Sequence, residues 1–160
     1  MLPPYRTDRF LSAMAAIILF SLLSGCASTP PASQYNTETG AQLAARAKSL
    51  VGTRYQYGGN NPRGFDCSGL VQYTYQKAGI SIPRTTRAQL KHIRPVKLSR
   101  IQPGDLIFFR LAGPKASHVG IYIGDNKMIH APSSGKHVAY ARLDANGYWR
   151  SRIIATGRFY

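Results

Sequence analysis

His118-Val119-Gly120-Ile121-Tyr122-Ile123-Gly124-Asp125-Asn126-Lys127-Met128-Ile129-His130-Ala131 is two apolar, partly β-branched runs separated by turn-forming residues. Runs of that length and composition around a Gly-Asp-Asn segment read as a β-hairpin. With a loop of residues 124–126, position 120 faces 130 and position 118 faces 132. His118 and His130 then lie on one face as diagonal neighbours. A two-residue turn alone would send them to opposite faces, because a one-residue slip inverts every side chain of a strand.

Working outward, Leu106-Ile107-Phe108-Phe109 is a buried strand following the turn Pro103-Gly104-Asp105, and residues 138–142 and 153–156 are two more strands. Before Pro95 the period is helical. Leu43, Ala44, Ala47, Leu50 and Val51 share a face from Ala41 onward, with Gly52 as the stop. A Gly-rich loop follows from Tyr57 to Gly64. A second helix then starts at an Asp66 N-cap and runs to Gly79, and a shorter third is opened by Pro83 and Arg84 and ends at Leu90. N-terminal helices followed by a mainly antiparallel sheet of five to six strands give an α+β layout.

The chain has 160 residues, which suits one domain, and 44% apolar with 17% charged residues is globular rather than disordered. Lys and Arg number 21 against 6 Asp and Glu, a net +15 that favours acidic partners. The first residues narrow the choice. Arg6 and Arg9 precede an apolar run from Phe10 to Leu23 that is short for a spanning helix and fits a secretory signal. The run closes on Leu23-Ser24-Gly25-Cys26, which resembles a bacterial lipobox. That resemblance implies residues 1–25 as a signal peptide and a lipid on Cys26. Residues 26–40, poor in groups to bury, then read as a flexible tether and 41–160 as the folded domain. Export makes nucleic acid an improbable partner and points the basic charge to cell wall or anionic lipid. Ala27, rather than Asp, after the lipidated residue is compatible with the outer membrane.

Lipidation of Cys26 leaves Cys67 with no disulfide partner in an oxidising compartment, so this thiol asks for a use. Phe65-Asp66-Cys67-Ser68-Gly69-Leu70 sets it in the first turn of a helix, where free N–H groups and the peptide dipoles favour a thiolate and can later hold an oxyanion. Gly69 in that turn suits a close backbone approach by a substrate. A thiol nucleophile needs a base that returns a proton to the leaving group, and histidine does this at neutral pH. Of four histidines, His92 and His137 lie in polar surface-type segments. His118 fits the base and His130 the group that orients its other ring nitrogen.

Gly52-Thr53-Arg54-Tyr55-Gln56-Tyr57-Gly58-Gly59, Asp66-Cys67-Ser68-Gly69, Pro83-Arg84-Thr85-Thr86, Pro103-Gly104-Asp105-Leu106, His118-Val119-Gly120-Ile121-Tyr122 and Ile129-His130-Ala131 resemble, in order and spacing, the motifs of the NlpC family. Its members are papain-like cysteine peptidases that cut peptide stems of cell-wall peptidoglycan. The chain resembles in particular the small lipoprotein murein endopeptidases of Gram-negative bacteria. The resemblance implies Cys67 as nucleophile, His118 as base, His130 as the orienting residue and Tyr55 as a hydroxyl near the oxyanion. It also implies Asp66, Ser68 and Arg84 along the substrate cleft. Arg54 stands where the family more often has proline, a difference of loop rigidity rather than chemistry.

The expected activity is therefore hydrolysis of a stem-peptide or cross-link amide through an acyl-enzyme, by a monomer with no cofactor and no metal. Regulatory partners are not legible in the residues. Two alternatives use the same chain: transfer of the thioester's acyl group to an amine, and wall binding without catalysis. The second predicts loss of Cys67, His118 or His130, and all three are present. A zinc hydrolase is disfavoured by the absence of a ligand-spaced histidine motif. Arg84, Arg87, Lys91 and Arg94 are expected to form a basic stripe on the third helix.

Overall fold

The computed structural model describes residues 32–160 apart from Ala112. Residues 1–25, expected to be a signal peptide, Cys26 and residues 27–31 lie outside the described residues. Helix α1 spans Ala32–Ser49, so the helix starts well before Ala41 and takes up much of the segment read as a tether. The reason is visible in its buried face. Thr39 and Gly40 continue the stripe of Leu43, Ala44, Ala47 and Leu50 by one turn. Gly40 has no apolar side chain, but it packs against the carbonyl of Pro103 and sits where a Cβ would meet the Tyr160 hydroxyl at 2.6 Å.

Strands β1 (Asn60–Asn61) and β2 (Gly64–Phe65) form a small hairpin inside the Gly-rich loop. Helix α2 (Cys67–Gln76) begins at the expected place, with the Asp66 carboxylate accepting from the Gly69 N–H at 2.7 Å. Helix α3 covers Thr86–His92, later than expected, because Thr85 is its cap and accepts from the Ala88 N–H. Pro83 and Arg84 precede it. The basic stripe is consequently broken: Arg84 belongs to a loop and Arg94 to strand β3 (Arg94–Pro95), which leaves Arg87 and Lys91 on the helix.

The remaining strands are β4 (Leu106–Phe109), β5 (His118–Gly124), β6 (Lys127–His130), β7 (Ala139–Arg142) and β8 (Ile153–Arg158). They join β3 in a six-stranded sheet of order β3-β8-β4-β5-β6-β7, antiparallel at every pairing. One face of the sheet carries Leu106, Phe108, Val119, Ile121 and Ile129 into a core with Leu43, Leu70, Val71 and Tyr75 of the helices. The other face supports a smaller cluster of Ile107, Phe109, Met128 and Leu143, with Trp149 packed against it. The alternation follows from the period of two along each strand.

The β5–β6 turn reaches the expected register by a different route. Asp125 and Asn126 both hold positive φ, 51° and 52°, which makes the two-residue turn favoured in hairpins. One extra residue at Ile123 bulges from β5: Tyr122 opposes Met128 but Gly124 opposes Lys127. The bulge restores the face that the short turn alone would have inverted, and His118 and His130 stay together.

Candidate active site

Cys67 opens α2 at the floor of a cleft of about 490 Å³ lined by Tyr55, Tyr57, Asp66, Ser68, Arg84 and Thr86, among others. The thiol is half-buried. Its sulfur lies 3.6 Å from the Thr86 hydroxyl, and the backbone N–H groups of Val119 and Ser68 are close enough to favour its charged form. Val119 follows His118 on β5, but among the described residues no hydrogen bond joins the sulfur to His118 or His130, so the expected thiol–imidazole pair is not closed at rest. Burial pushes the thiol up from its ordinary value, the Asp66 charge adds to this, and the three hydrogen bonds pull against it. This direction is opposite to the lowering expected from the helix N-terminus, with burial outweighing the donors around the sulfur.

His118 and His130 form a buried pair, 3% and 4% exposed, with His118 Nε2 at 2.9 Å from His130 Nδ1 and the rings perpendicular. Burial pushes His118 down to about 3, helped by His130, and pushes His130 down to about 4, helped by the charge of Lys136. Both imidazoles are neutral at pH 7. In the shared hydrogen bond one ring donates and the other accepts, so each tautomer fixes the other. The free ring nitrogen of His118 is Nδ1.

Asp66 is a hub rather than a free carboxylate. One oxygen accepts from the Gly69 N–H, the Ser68 hydroxyl and Arg84 at 2.9 Å, and the other accepts from the Gly58 N–H and Arg84 at 2.6 Å. Arg84 also donates to the Ser68 hydroxyl and the Gly59 carbonyl. The three residues expected to meet substrate are thus brought together as one wall of the cleft, tied mostly to each other. Tyr55 stands at the same wall, its hydroxyl pushed up by burial and by the neighbouring thiol. Gly69 serves the wall and not the substrate, since a Cβ there would collide with the Gly59 carbonyl.

Three residues that take part here were not expected. Thr86 reaches the sulfur. Gln89, fully buried, donates to the Ser68 and Pro83 carbonyls and so fastens α3 to the first turn of α2. Trp149 stacks on His118 with ring centroids 5.5 Å apart and meets His130 edge-on at 4.7 Å. The Pro-Arg-Thr-Thr motif and the chain's single tryptophan were the available signals for the first and last. Among the described residues no group of three His, Cys, Asp or Glu is placed to hold a metal.

The sequence profile described as the NlpC/P60 family matches residues 52–158, which includes Cys67, His118 and His130. The chain belongs to the NlpC/P60 family. It is 42% identical over 116 residues to the probable endopeptidase p60 of Listeria monocytogenes, covering 72% of this chain and 23% of that protein. It is also 42% identical over 115 residues to the bifunctional muramidase/DL-endopeptidase CwlT of Bacillus subtilis, covering 70% and 34%. The chain thus spans 23% and 34% of the length of these two relatives. Among solved structures, an NlpC/P60 family protein from Bacillus cereus superposes with a TM-score of 0.70 at 34% identity, covering 75% of this chain and 40% of that one. The NlpC/P60 domain of the peptidoglycan hydrolase SagA superposes at 0.64 with 32% identity, covering 74% and 97%. The NlpC/P60 fold is the α+β papain-like architecture described above.

Proposed function

We propose that this NlpC/P60 chain is a cell-wall endopeptidase that hydrolyses an amide bond of peptidoglycan stem peptides or cross-links, with Cys67 as nucleophile. The observation that carries the reading is the buried pair formed by His118 at the start of β5 and His130 at the end of β6, with the Val119 N–H next to His118 favouring charge on the Cys67 sulfur. The relatives with printed activities are an endopeptidase and a peptidoglycan hydrolase, in line with it.

The ground state is a neutral thiol and a neutral imidazole. As the sulfur attacks the amide carbonyl carbon, its proton passes to His118 Nδ1, the nitrogen left free by the bond to His130. His130 holds the ring in that tautomer and stabilises the imidazolium that forms. The carbonyl oxygen gains the negative charge and faces the Cys67 N–H at the start of α2 and the Tyr55 hydroxyl. Collapse of the tetrahedral species breaks the C–N bond, and His118 returns its proton to the leaving amine. Water, deprotonated by His118, then opens the thioester and frees the thiol. Asp66 and Arg84, locked together, keep the cleft wall in place, and Ser68 and Arg84 present the polar edge that a stem peptide meets. One chain supplies every group, which suits a monomer.

We also infer that Cys26 carries a lipid that holds the domain to the periplasmic face of the outer membrane, a reading supported by the Leu23-Ser24-Gly25-Cys26 sequence. Digestion of isolated sacculi followed by mass spectrometry tests the activity. Fragments ending in a new carboxylate are expected from the wild type and none from Cys67→Ala. Fragments with an amine joined at the new end would make the chain a transferase. Palmitate labelling lost in Cys26→Ser tests the anchor.

A further inference from the structure

Trp149 lies outside the motifs that mark the family resemblance, on the segment between β7 and β8, yet its indole touches both buried histidines. It stacks on His118 with an interplanar angle of 30°, meets His130 at 78°, and is held from behind by the edge-on ring of Phe109 at 5.1 Å. Its segment is braced locally. The Arg152 guanidinium lies 3.8 Å over the Tyr148 ring and donates to the Tyr148 carbonyl at 2.7 Å, and Tyr148 in turn packs edge-on against Trp149. The indole does not line the cleft beside Cys67, whose wall on the β5 side is Ala116 and Ser117. It packs on both histidines without lining the cleft.

We propose that Trp149 is a positioning residue that acts through His118 and His130: its ring fixes the rotation of the stacked imidazole and seals the pair from water. This rests on the assignment of His118 as base in the proposed function. Two physical consequences follow from the contact. A flat ring stacked on an imidazole restricts its χ2 rotation, which is otherwise broad. A sealed imidazole pays desolvation on charging, so it stays a neutral acceptor until the thiol offers a proton. Among the described residues, the ionisable groups that act on the pair are His130 on His118 and Lys136, in the loop after β6, on His130. Neither is removed by changing residue 149, so the effect of the cover is separable from theirs.

The test compares Trp149→Phe and Trp149→Ala with the wild type, reading the pH profile of kcat/KM and the ring-nitrogen NMR shifts of the histidines between pH 5 and 8. The wild type is expected to show two imidazoles that stay neutral across that range. In Trp149→Ala at least one should titrate within it, the acid limb of the profile should move up by about one unit or more, and kcat should fall about tenfold to a hundredfold with little change in KM. Trp149→Phe, which keeps an aromatic cover, should recover most of both effects. Should Trp149→Ala not fold, Trp149→Phe and the wild-type NMR still decide. Histidines that titrate near 6.5 in the wild type overturn the proposal, as does an acid limb unmoved in Trp149→Ala. An inactive protein with the expected NMR pattern would instead fault the assignment of the reaction and leave the cover standing.

Discussion

The two halves of the site solve opposite problems. The thiol of Cys67 is half-open, at the floor of a polar cleft, and surrounded by donors: a hydroxyl and two backbone N–H groups. The histidine pair is almost dry, with an indole and a phenyl ring on its flanks, and among the described residues each ring's side-chain hydrogen bond is to the other. The donors are ready to receive negative charge on sulfur or oxygen, whereas the imidazoles are kept from holding positive charge until the reaction supplies it. Electrostatic preparation is therefore all on the nucleophile's side, and the base is prepared by orientation and exclusion of water. This differs from a resting ion pair, in which sulfur and imidazole are charged before substrate arrives.

The contrast can be broken from either side. The largest expected effect is Cys67→Ala, which should abolish turnover, with circular dichroism unchanged because the residue is half-exposed at a helix start. Next, His118→Ala should cost about 10³-fold or more in kcat/KM, as it removes the proton carrier. His130→Ala should cost less, about tenfold to a hundredfold, since it removes only the group that sets the tautomer. Equal losses in the two histidine variants, measured by product release from sacculi, would mean that His130 does more than orient.

On the nucleophile's side, Arg84→Ala frees two carboxylate oxygens that it now neutralises. A loss of about 1–3 kcal/mol in denaturant unfolding is expected, with KM raised more than kcat is lowered. On the base's side the gentlest probe is pH. The folded chain holds both imidazoles below their ordinary 6.5, at about 3 and about 4, so the unfolded chain binds more protons throughout that interval. Stability is then full above about pH 6.5 and declines as pH falls toward 3. Thermal unfolding across pH 5 to 7 should show Tm falling with acid, and the slope should flatten in His130→Ala.

Local sequence carried much of this site. The N-cap of α2, the position of Cys67 and the shared face of His118 and His130 are set by neighbours within a few residues and could be read from them. What could not be read is long-range or compensated. The β5–β6 turn is two residues and not three, and only the unpaired Ile123 makes the histidines meet. Residues 32–40 looked like a tether because packing through Thr39 and the bare backbone of Gly40 leaves no apolar signature. Thr85 took the cap of α3 because Arg84 is spent on Asp66, a contact 18 residues away in sequence. Trp149 reaches the histidines from a turn-rich segment with no periodic pattern. The thiol's upward direction is of the same kind: its donors are mostly local to the helix start, whereas its burial comes from the whole fold.

The charge state of the resting sulfur tests the account most directly. In a Cys26→Ser chain, where Cys67 is the sole thiol, thiolate absorbance near 240 nm can be followed against pH. Taken as the difference from the same chain carrying Cys67→Ala, which removes the tyrosinate signal, a rise confined to alkaline pH with no plateau near neutrality is the expected result for a neutral thiol near a neutral imidazole. Absorbance already present at pH 6 to 7, and lost when His118 is replaced, would reveal a standing thiolate–imidazolium pair and contradict it.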